Sequence, residues 1–326
     1  MTQIPLLDLA GWFDGDDADR HRLAGELDDH LQRLGFLVVV NHGVSRDVID
    51  RCREHCREFF HLPADDKQAV ALSGAAYRGW VGPGLESNAA TYGVDTPPDL
   101  KETFAFGPVD IADETLRTTE PRWFSPNVWP DHPVGFRDAA EGWWRAARSL
   151  TDELLDLCSL ALRLPQSHLR DRSRATTAQV SLNWYGPRGA SEPEPGQFRI
   201  GPHTDFGTIT VLDRQRGVRG LQVQALDGTW LDAPYVPGSL TINIGDLMAR
   251  WTGGRWRSNM HRSLPPTADA ASEELISLVF FMEADMQAFI TPLAPPHGGD
   301  VAFEPVLAVD YLRDKMVAIT MASSAD

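Results

Sequence analysis

The texture of the chain changes at Gln179, and that change limits its architecture more than any other feature. From there on, short runs alternate apolar and polar residues, with turn residues between them: 179–185, 208–213, 221–225, 229–232, 239–244, 256–263 and 274–283. Residues i and i+2 of a strand share a face, so each run can present one apolar side to a core. Many short strands at such spacing predict a sandwich or jelly roll, whose mouth can hold a ligand. Asp227-Gly228 sits between two of the runs and is a strong hairpin signal.

The preceding half reads differently. Ile4 to Leu9 predicts a short strand. From Asp17 to Leu34, Leu23, Leu27, Leu31 and Leu34 recur on one helical face, and Gly35 ends the helix. Phe36-Leu37-Val38-Val39-Val40 is apolar, short and rich in β-branched residues, which predicts a buried strand. A second helix is expected from Ser45 to Phe60, stopping before Pro63. Residues 72–135 are rich in Gly and Pro and predict loops with short elements, and Trp143 and Trp144 open a long helical pattern running to about Leu162. A last helix is expected around Leu307–Lys315. The fold class is therefore α+β, a double-stranded β-helix (jelly-roll) core flanked by N-terminal helices. We expect an N-terminal helical and mixed region over 1–135 and the jelly-roll core with a C-terminal tail over 136–326, in one compact unit.

Composition narrows the partners. A net charge of −16 without a Lys/Arg block argues against nucleic acid. No stretch approaches the ~18 apolar residues of a membrane span, and the N-terminus lacks a basic region followed by an apolar run. Cys52, Cys56 and Cys158 are odd in number and fit no zinc-ribbon spacing, so free thiols in a reducing cytoplasm are expected.

The chemistry centres on Gly201-Pro202-His203-Thr204-Asp205-Phe206-Gly207. Among ten histidines only His203 is followed two residues later by a carboxylate, and on a strand or at its end both side chains point one way. His261, on a later strand, can supply a third ligand. Two His and one carboxylate on one side of an ion leave the other side open, the arrangement of non-haem Fe(II) oxygenases. Zinc accepts the same three ligands, with a bound water as nucleophile, and at this point both metals stand.

Motifs spread along nearly the whole chain carry a resemblance. They include Ile4-Pro5-Leu6-Leu7-Asp8-Leu9, Gly35 to Gly43, Phe59-Phe60-His61-Leu62-Pro63, Tyr77-Arg78-Gly79-Trp80, Asp99-Leu100-Lys101-Glu102 and Pro126-Asn127-Val128-Trp129-Pro130. In the core they include Leu182-Asn183-Trp184-Tyr185, His203-Thr204-Asp205-Phe206-Gly207, Gly220-Leu221-Gln222-Val223 and Asn243-Ile244-Gly245-Asp246. In this order they resemble the isopenicillin N synthase-like family of Fe(II)/2-oxoglutarate-dependent dioxygenases.

The resemblance implies Fe(II) on His203, Asp205 and His261, with 2-oxoglutarate (or another 2-oxo acid) and O2 as co-substrates. It implies that His42 is structural, that Asn183 and Tyr185 lie at the co-substrate end of the pocket, and that Ser277 belongs to an Arg-x-Ser motif binding the distal carboxylate. It also implies oxidation of a C–H bond of a small molecule (hydroxylation, desaturation or cyclisation), in specialised metabolism. Arg78, Trp80, Phe104 and Phe281 are candidate pocket walls, with Arg78 able to pair with an acidic substrate.

One position departs from the family. Leu275 stands where the Arg of Arg-x-Ser is expected. A buried carboxylate facing leucine lacks its partner, at a cost on the order of several kcal/mol. Three readings follow: another Arg reaches in, with Arg199, Arg257 and Arg262 nearest the ligands in sequence; 2-oxoglutarate is not used and the substrate itself chelates iron; or the 2-oxo acid lacks a distal carboxylate. A zinc hydrolase and a non-catalytic binding protein of the same fold are the competing classes.

Overall fold

Strands from both halves of the chain merge into a single large sheet. The computed structural model describes residues 3–72, 77–94, 96–111, 113–187 and 193–322. The N-terminal part supplies β1 (Leu6–Asp8), β2 (Phe36–Val40), β3 (Gly79–Val81) and β4 (Glu102–Phe106). The remainder supplies β5 (Gln179–Tyr185), β6 (Ile200–His203), β7 (Ile209–Arg214), β8 (Leu221–Gln224), β9 (Trp230–Asp232), β10 (Leu240–Ile244), β11 (His261–Ser263) and β12 (Leu275–Met282). The large sheet runs β1-β2-β10-β7-β12-β5-β4-β3, and a smaller one runs β6-β11-β8-β9. Together they form a jelly roll, and the Asp227-Gly228 turn joins β8 to β9, with Gly228 at φ +84°.

The large sheet has two unlike faces, and strand alternation makes them so. Val180 and Leu182 of β5, Ile209 and Val211 of β7, Ile242 and Ile244 of β10, and Ile276, Leu278 and Phe280 of β12 join the main apolar core. That core also takes residues from the helices Asp17–Arg33, Arg46–Phe60 and Phe136–Ala161, and the third of these packs against the first two. The alternate residues, Asn183 and Tyr185, Thr210, Leu212 and Arg214, Asn243, and Ser277, Val279 and Phe281, line a cavity on the opposite face. N-caps from Asp16 and Ser45 start the first two long helices by accepting the N–H of Asp19 and Asp47.

Several boundaries differ from the sequence expectation. The first strand is confined to Leu6–Asp8. The long helix begins at Phe136, earlier than Trp143, because Phe136, Ala139 and Ala140 are already buried against the core. Of the run 256–263 only the end is ladder-paired. Trp256 instead donates its indole N–H to Asp28, Arg257 binds the Gln32 carbonyl, and Asn259 binds the Leu34 carbonyl, so this stretch is tied to the first long helix and its end. The strand Ile200–His203 and the helix Asp246–Trp251 lie outside the expected runs, and the last helix extends over Ala308–Ala322.

One buried ion pair fastens the helical layer to the site-bearing sheet. Asp213 points away from the cavity on β7 and accepts from Arg53 Nη2 at 2.5 Å, with both side chains buried. Replacing Arg53 alone leaves a carboxylate stranded in the core. R53M is expected to lower unfolding stability by about 3–5 kcal/mol, and R53M/D213L to recover most of the loss. Urea denaturation of the two variants beside the parent chain checks this.

Candidate metal centre

Antiparallel register brings the two histidines together. β6 pairs with β11 so that His203 and His261 are directly opposite, and opposite residues point to the same side. Their ring centroids lie 4.2 Å apart. Asp205 follows the end of β6 and turns its carboxylate back between them: Oδ1 is 3.7 Å from His203 Nε2 and 3.7 Å from His261 Nε2. One ligand atom from each residue lies within 4.8 Å of the others, so a single ion can bridge the set. The turn after Asp205 needs glycine for close approach. A Cβ on Gly207 would meet the Met282 carbonyl at 2.6 Å, and one on Gly245 would meet the Gly207 carbonyl at 2.4 Å.

Each ligand is aimed by a second contact. His203 Nδ1 bonds the Gly201 carbonyl at 2.8 Å and His261 Nδ1 the Asn259 carbonyl at 3.1 Å. A carbonyl can only accept, so both rings carry their proton on Nδ1 and turn the Nε2 lone pair inward. Asp205 Oδ2 accepts from Thr210 Oγ1 and from Asn243 Nδ2, both at 2.6 Å, which leaves Oδ1 for an ion. Phe36 packs edge-on against the His261 ring, with centroids 5.0 Å apart.

Electrostatics favour a cation here. Burial, and then the nearby His203, push the His261 imidazole down to about 4, so it is neutral and able to ligate at physiological pH. Burial alone would raise Asp205, yet the neighbouring His261 and His203 rings and the hydrogen bonds from Asn243 and Thr210 hold it below its ordinary value. Glu283 lies in the cavity wall near this carboxylate. Burial, and then the Asp205 charge, push it up to about 8. Two imidazoles and one carboxylate oxygen with an open side fit a divalent ion that must also take exogenous ligands.

The centre sits in a cavity of about 890 Å³. Of the expected wall residues, Trp80 and Phe281 line it. Phe104 does not; it is buried between Phe59, Phe136 and Trp129. Arg78 does not line it either. Its guanidinium is buried against the Tyr77 and Trp123 carbonyls, so it is not placed to pair with a substrate. His42 makes no contact with the metal ligands: its Nδ1 accepts from Val44 N–H and its Nε2 donates to the Gly238 carbonyl.

Asn183, Tyr185 and Ser277 are brought together on neighbouring strands. Tyr185 Oη lies 3.2 Å from Ser277 Oγ, and Asn183 Nδ2 lies 3.4 Å from the same oxygen. Leu275 is opposite Tyr185 in the ladder. Of the three arginines singled out by sequence proximity, Arg199 and Arg262 line the cavity, with Arg199 lying 5.6 Å over the Tyr185 ring, and Arg257 does not line it. Arg199 is buried and donates to Glu273 at 2.6 Å, Arg262 donates to Gln222 and lies 3.9 Å over the Trp230 ring, and Arg257 faces the first long helix. Sequence reasoning gives no role to Thr210, Asn243 or Glu283. Asn243 stands in a quoted motif, and Thr210 becomes visible only once β7 has a register.

Comparison with known proteins agrees with this geometry. Residues 4–132 match the family model described as non-haem dioxygenase in morphine synthesis N-terminal, and residues 177–284 match that of the 2OG-Fe(II) oxygenase superfamily. The chain is 36% identical over 319 residues to the Validamycin A dioxygenase of Streptomyces hygroscopicus subsp. limoneus, covering 96% of this chain and 86% of the relative. It is 32% identical to the 2-oxoglutarate-dependent dioxygenase frbA of Dothideomycetidae sp. (strain 11243), covering 96% of each. Among solved structures, a full-length Neurospora crassa protein in complex with alpha-KG and thymine superposes with a TM-score of 0.84 at 24% identity, covering 97% of this chain and 96% of that one. A putative 2OG-Fe(II) oxygenase family protein of Caulobacter crescentus gives 0.83 at 25% identity, covering 98% and 100%.

The hydrogen bond from Asn243 fixes which carboxylate oxygen faces the ion. N243A is expected to weaken Fe(II) binding by about 10- to 100-fold. An anaerobic metal titration measures it, and an unchanged Kd would remove Asn243 from the set of supporting contacts.

Proposed function

Because the chain belongs to the 2OG-Fe(II) oxygenase superfamily and is an Fe(II)- and 2-oxoglutarate-dependent dioxygenase, we propose that it oxidises a C–H bond of a small molecule in specialised metabolism, with His203, Asp205 and His261 holding the iron. The observation that carries the residue assignment is the cross-strand pairing of His203 with His261, with Asp205 Oδ1 at 3.7 Å from both. Bound Fe(II) supplies the O2 chemistry, driven by oxidative decarboxylation of the 2-oxo acid.

The chain's own residues do the rest. The Gly201 and Asn259 carbonyls keep the proton on Nδ1 of each histidine, and Thr210 and Asn243 keep one Asp205 oxygen turned to the metal. Asn183, Tyr185 and Ser277 are the co-substrate contacts, and Tyr185 and Ser277 offer two hydroxyls to a carboxylate. Trp80, Phe206 and Phe281 exclude water around the substrate. The named activity of the Streptomyces relative supports a small molecule as substrate, as does the cavity's size. No helix among the described residues is long and apolar enough to cross a membrane. We place the enzyme in the cytoplasm, where the buried thiols Cys52, Cys56 and Cys158 stay reduced.

Adding 2-oxoglutarate to the anaerobic Fe(II) protein is expected to produce a metal-to-ligand charge-transfer band. H203A and D205A are expected to lose both iron and band. Full O2 uptake coupled to 2-oxoglutarate decarboxylation in either variant would refute the ligand assignment.

A further inference from the structure

The cavity has two chemically unlike ends. Along the cavity face of β12, Ser277, Val279 and Phe281 follow one another, and Glu283 continues the series just past the strand's end. Cations of the wall gather at the Ser277 end. Arg199 lies 5.6 Å over the Tyr185 ring, Arg214 is opposite Ser277 in the ladder, and Lys101 donates to Thr103, which in turn donates to Asn183. The metal ligands lie between the two ends. Thr210, which donates to Asp205, is opposite Phe281, so this row is one same-face step from Glu283.

Glu283 is 8% exposed, and its carboxylate packs on the Gly207 backbone: a Cβ there would meet Oε1 at 2.5 Å. The Thr176 hydroxyl donates to the Glu283 carbonyl and the Thr208 N–H to the Met282 carbonyl, both at 2.8 Å, so the main chain here is held. The side chain is not. Among the described residues its carboxylate has no hydrogen bond and no ion pair, and the influences on it, burial and the Asp205 charge, both oppose ionisation. The other buried acids outside the metal triad are matched. Glu102, Glu141, Asp156 and Asp213 each meet a lysine or arginine, and Asp99 accepts from Asn88 and the Gly201 N–H. A buried carboxylate without a partner is costly, so one left open on a cavity wall is a place where the partner comes from the cavity.

The surroundings point to the partner's chemistry. Thr177 and Gln179, at the start of β5, line the same cavity, and their side chains also make no hydrogen bond with any described residue. Trp123, Phe206 and Leu312 line it too, and they pack in one apolar cluster with Met286, three residues after Glu283. A carboxylate with aromatic faces nearby suits a cation. The chain supplies none. Lys315 lies 5.4 Å over the Phe206 ring, but Asp246 holds its ammonium at 2.8 Å. Nor does a second metal cluster form: among the described residues, three ligating side chains converge only at His203, Asp205 and His261. A neutral polyol would leave the negative charge uncompensated, whereas an ammonium both compensates it and donates to it.

We propose that Glu283, flanked by Thr177 and Gln179, determines substrate specificity by receiving the ammonium group of an amine-bearing small molecule. This rests on the reading that the chain oxidises a small molecule at iron held by His203, Asp205 and His261, and it names the class of that molecule. The amine binds on the side of the metal ligands away from Ser277, which leaves the cationic end of the cavity to the 2-oxo acid.

The test is calorimetric binding of matched probes to the anaerobic protein loaded with Fe(II) and 2-oxoglutarate, at neutral pH. Cyclohexylamine is set against cyclohexanol, and benzylamine against benzyl alcohol, so each pair differs only in the cationic group. The charge-transfer band, recorded first, shows that metal and co-substrate are in place. The parent chain is expected to prefer each amine by about 10- to 100-fold. E283Q, which keeps the shape and removes the charge, is expected to bind amine and alcohol within about threefold of each other. E283D, with the carboxylate drawn back by one methylene, is expected to fall between. Equal affinity for amine and alcohol in the parent, no measurable binding of either amine, or an amine preference that survives in E283Q (as direct ligation of iron by the amine would give) overturns the proposal. Loss of the band in E283Q ties Glu283 to the metal centre and overturns it as well. If E283Q does not fold, E283D decides, and an amine Kd equal to that of the parent overturns it. A band without amine preference sinks the Glu283 assignment alone, whereas a parent chain that gives no band sinks the underlying reading of the site and the proposal with it.

Discussion

The centre depends on a backbone ladder before it depends on any side chain. β6 and β11 are short, and their pairing sets His203 opposite His261. A slip of one residue would turn one imidazole to the other face of the sheet and remove the site altogether. The register is reinforced from outside the pair. β8 lies along the other edge of β11, and Phe36, from the N-terminal part of the chain, packs on the His261 ring. The large sheet contributes the hydrogen bonds from Thr210 and Asn243 that orient Asp205. Metal geometry is thus a joint product of both sheets.

The large sheet works as a divider between an apolar layer and a polar one. On β7 consecutive side chains alternate between them, so Asp213 meets Arg53 of the helical layer while Leu212 and Arg214 face the cavity. The same alternation on β12 sends Ile276, Leu278 and Phe280 to the core and Ser277, Val279 and Phe281 to the cavity. Close packing behind the sheet limits how far the cavity residues can shift, which suits a site that must hold donors to within tenths of an ångström.

Much of this is legible without any coordinates. Strong strand alternation, the leucine stripe of the first long helix and the Asp227-Gly228 turn all appear where local pattern puts them. The three candidate ligands converge because His203 and Asp205 are neighbours in sequence and His261 lies on a strand of compatible spacing. What local pattern misses shares one cause: it depends on which strands are adjacent. Arg78 and Phe104 are candidate pocket walls on the sequence, but the neighbours they meet lead them into the interior. Arg199, Arg257 and Arg262 rank alike by distance along the chain, whereas the fold puts Arg199 and Arg262 in the cavity wall and sends Arg257 to the first long helix. The stretch 256–260 has strand-like composition, but its side chains find better partners on the first long helix than a ladder could offer.

The cavity wall also draws on residues far from the ligands in sequence. Gln68, Leu72, Trp80, Leu85 and Ser87 belong to the N-terminal part, yet they face the same space as His203 and His261. A lineage can therefore change which compound it accepts by altering that early stretch, with the chemistry left untouched. Relatives grouped by their ligand-bearing strands alone would then be sorted by reaction and not by diet, and part of the divergence in taste would be written in the first hundred positions.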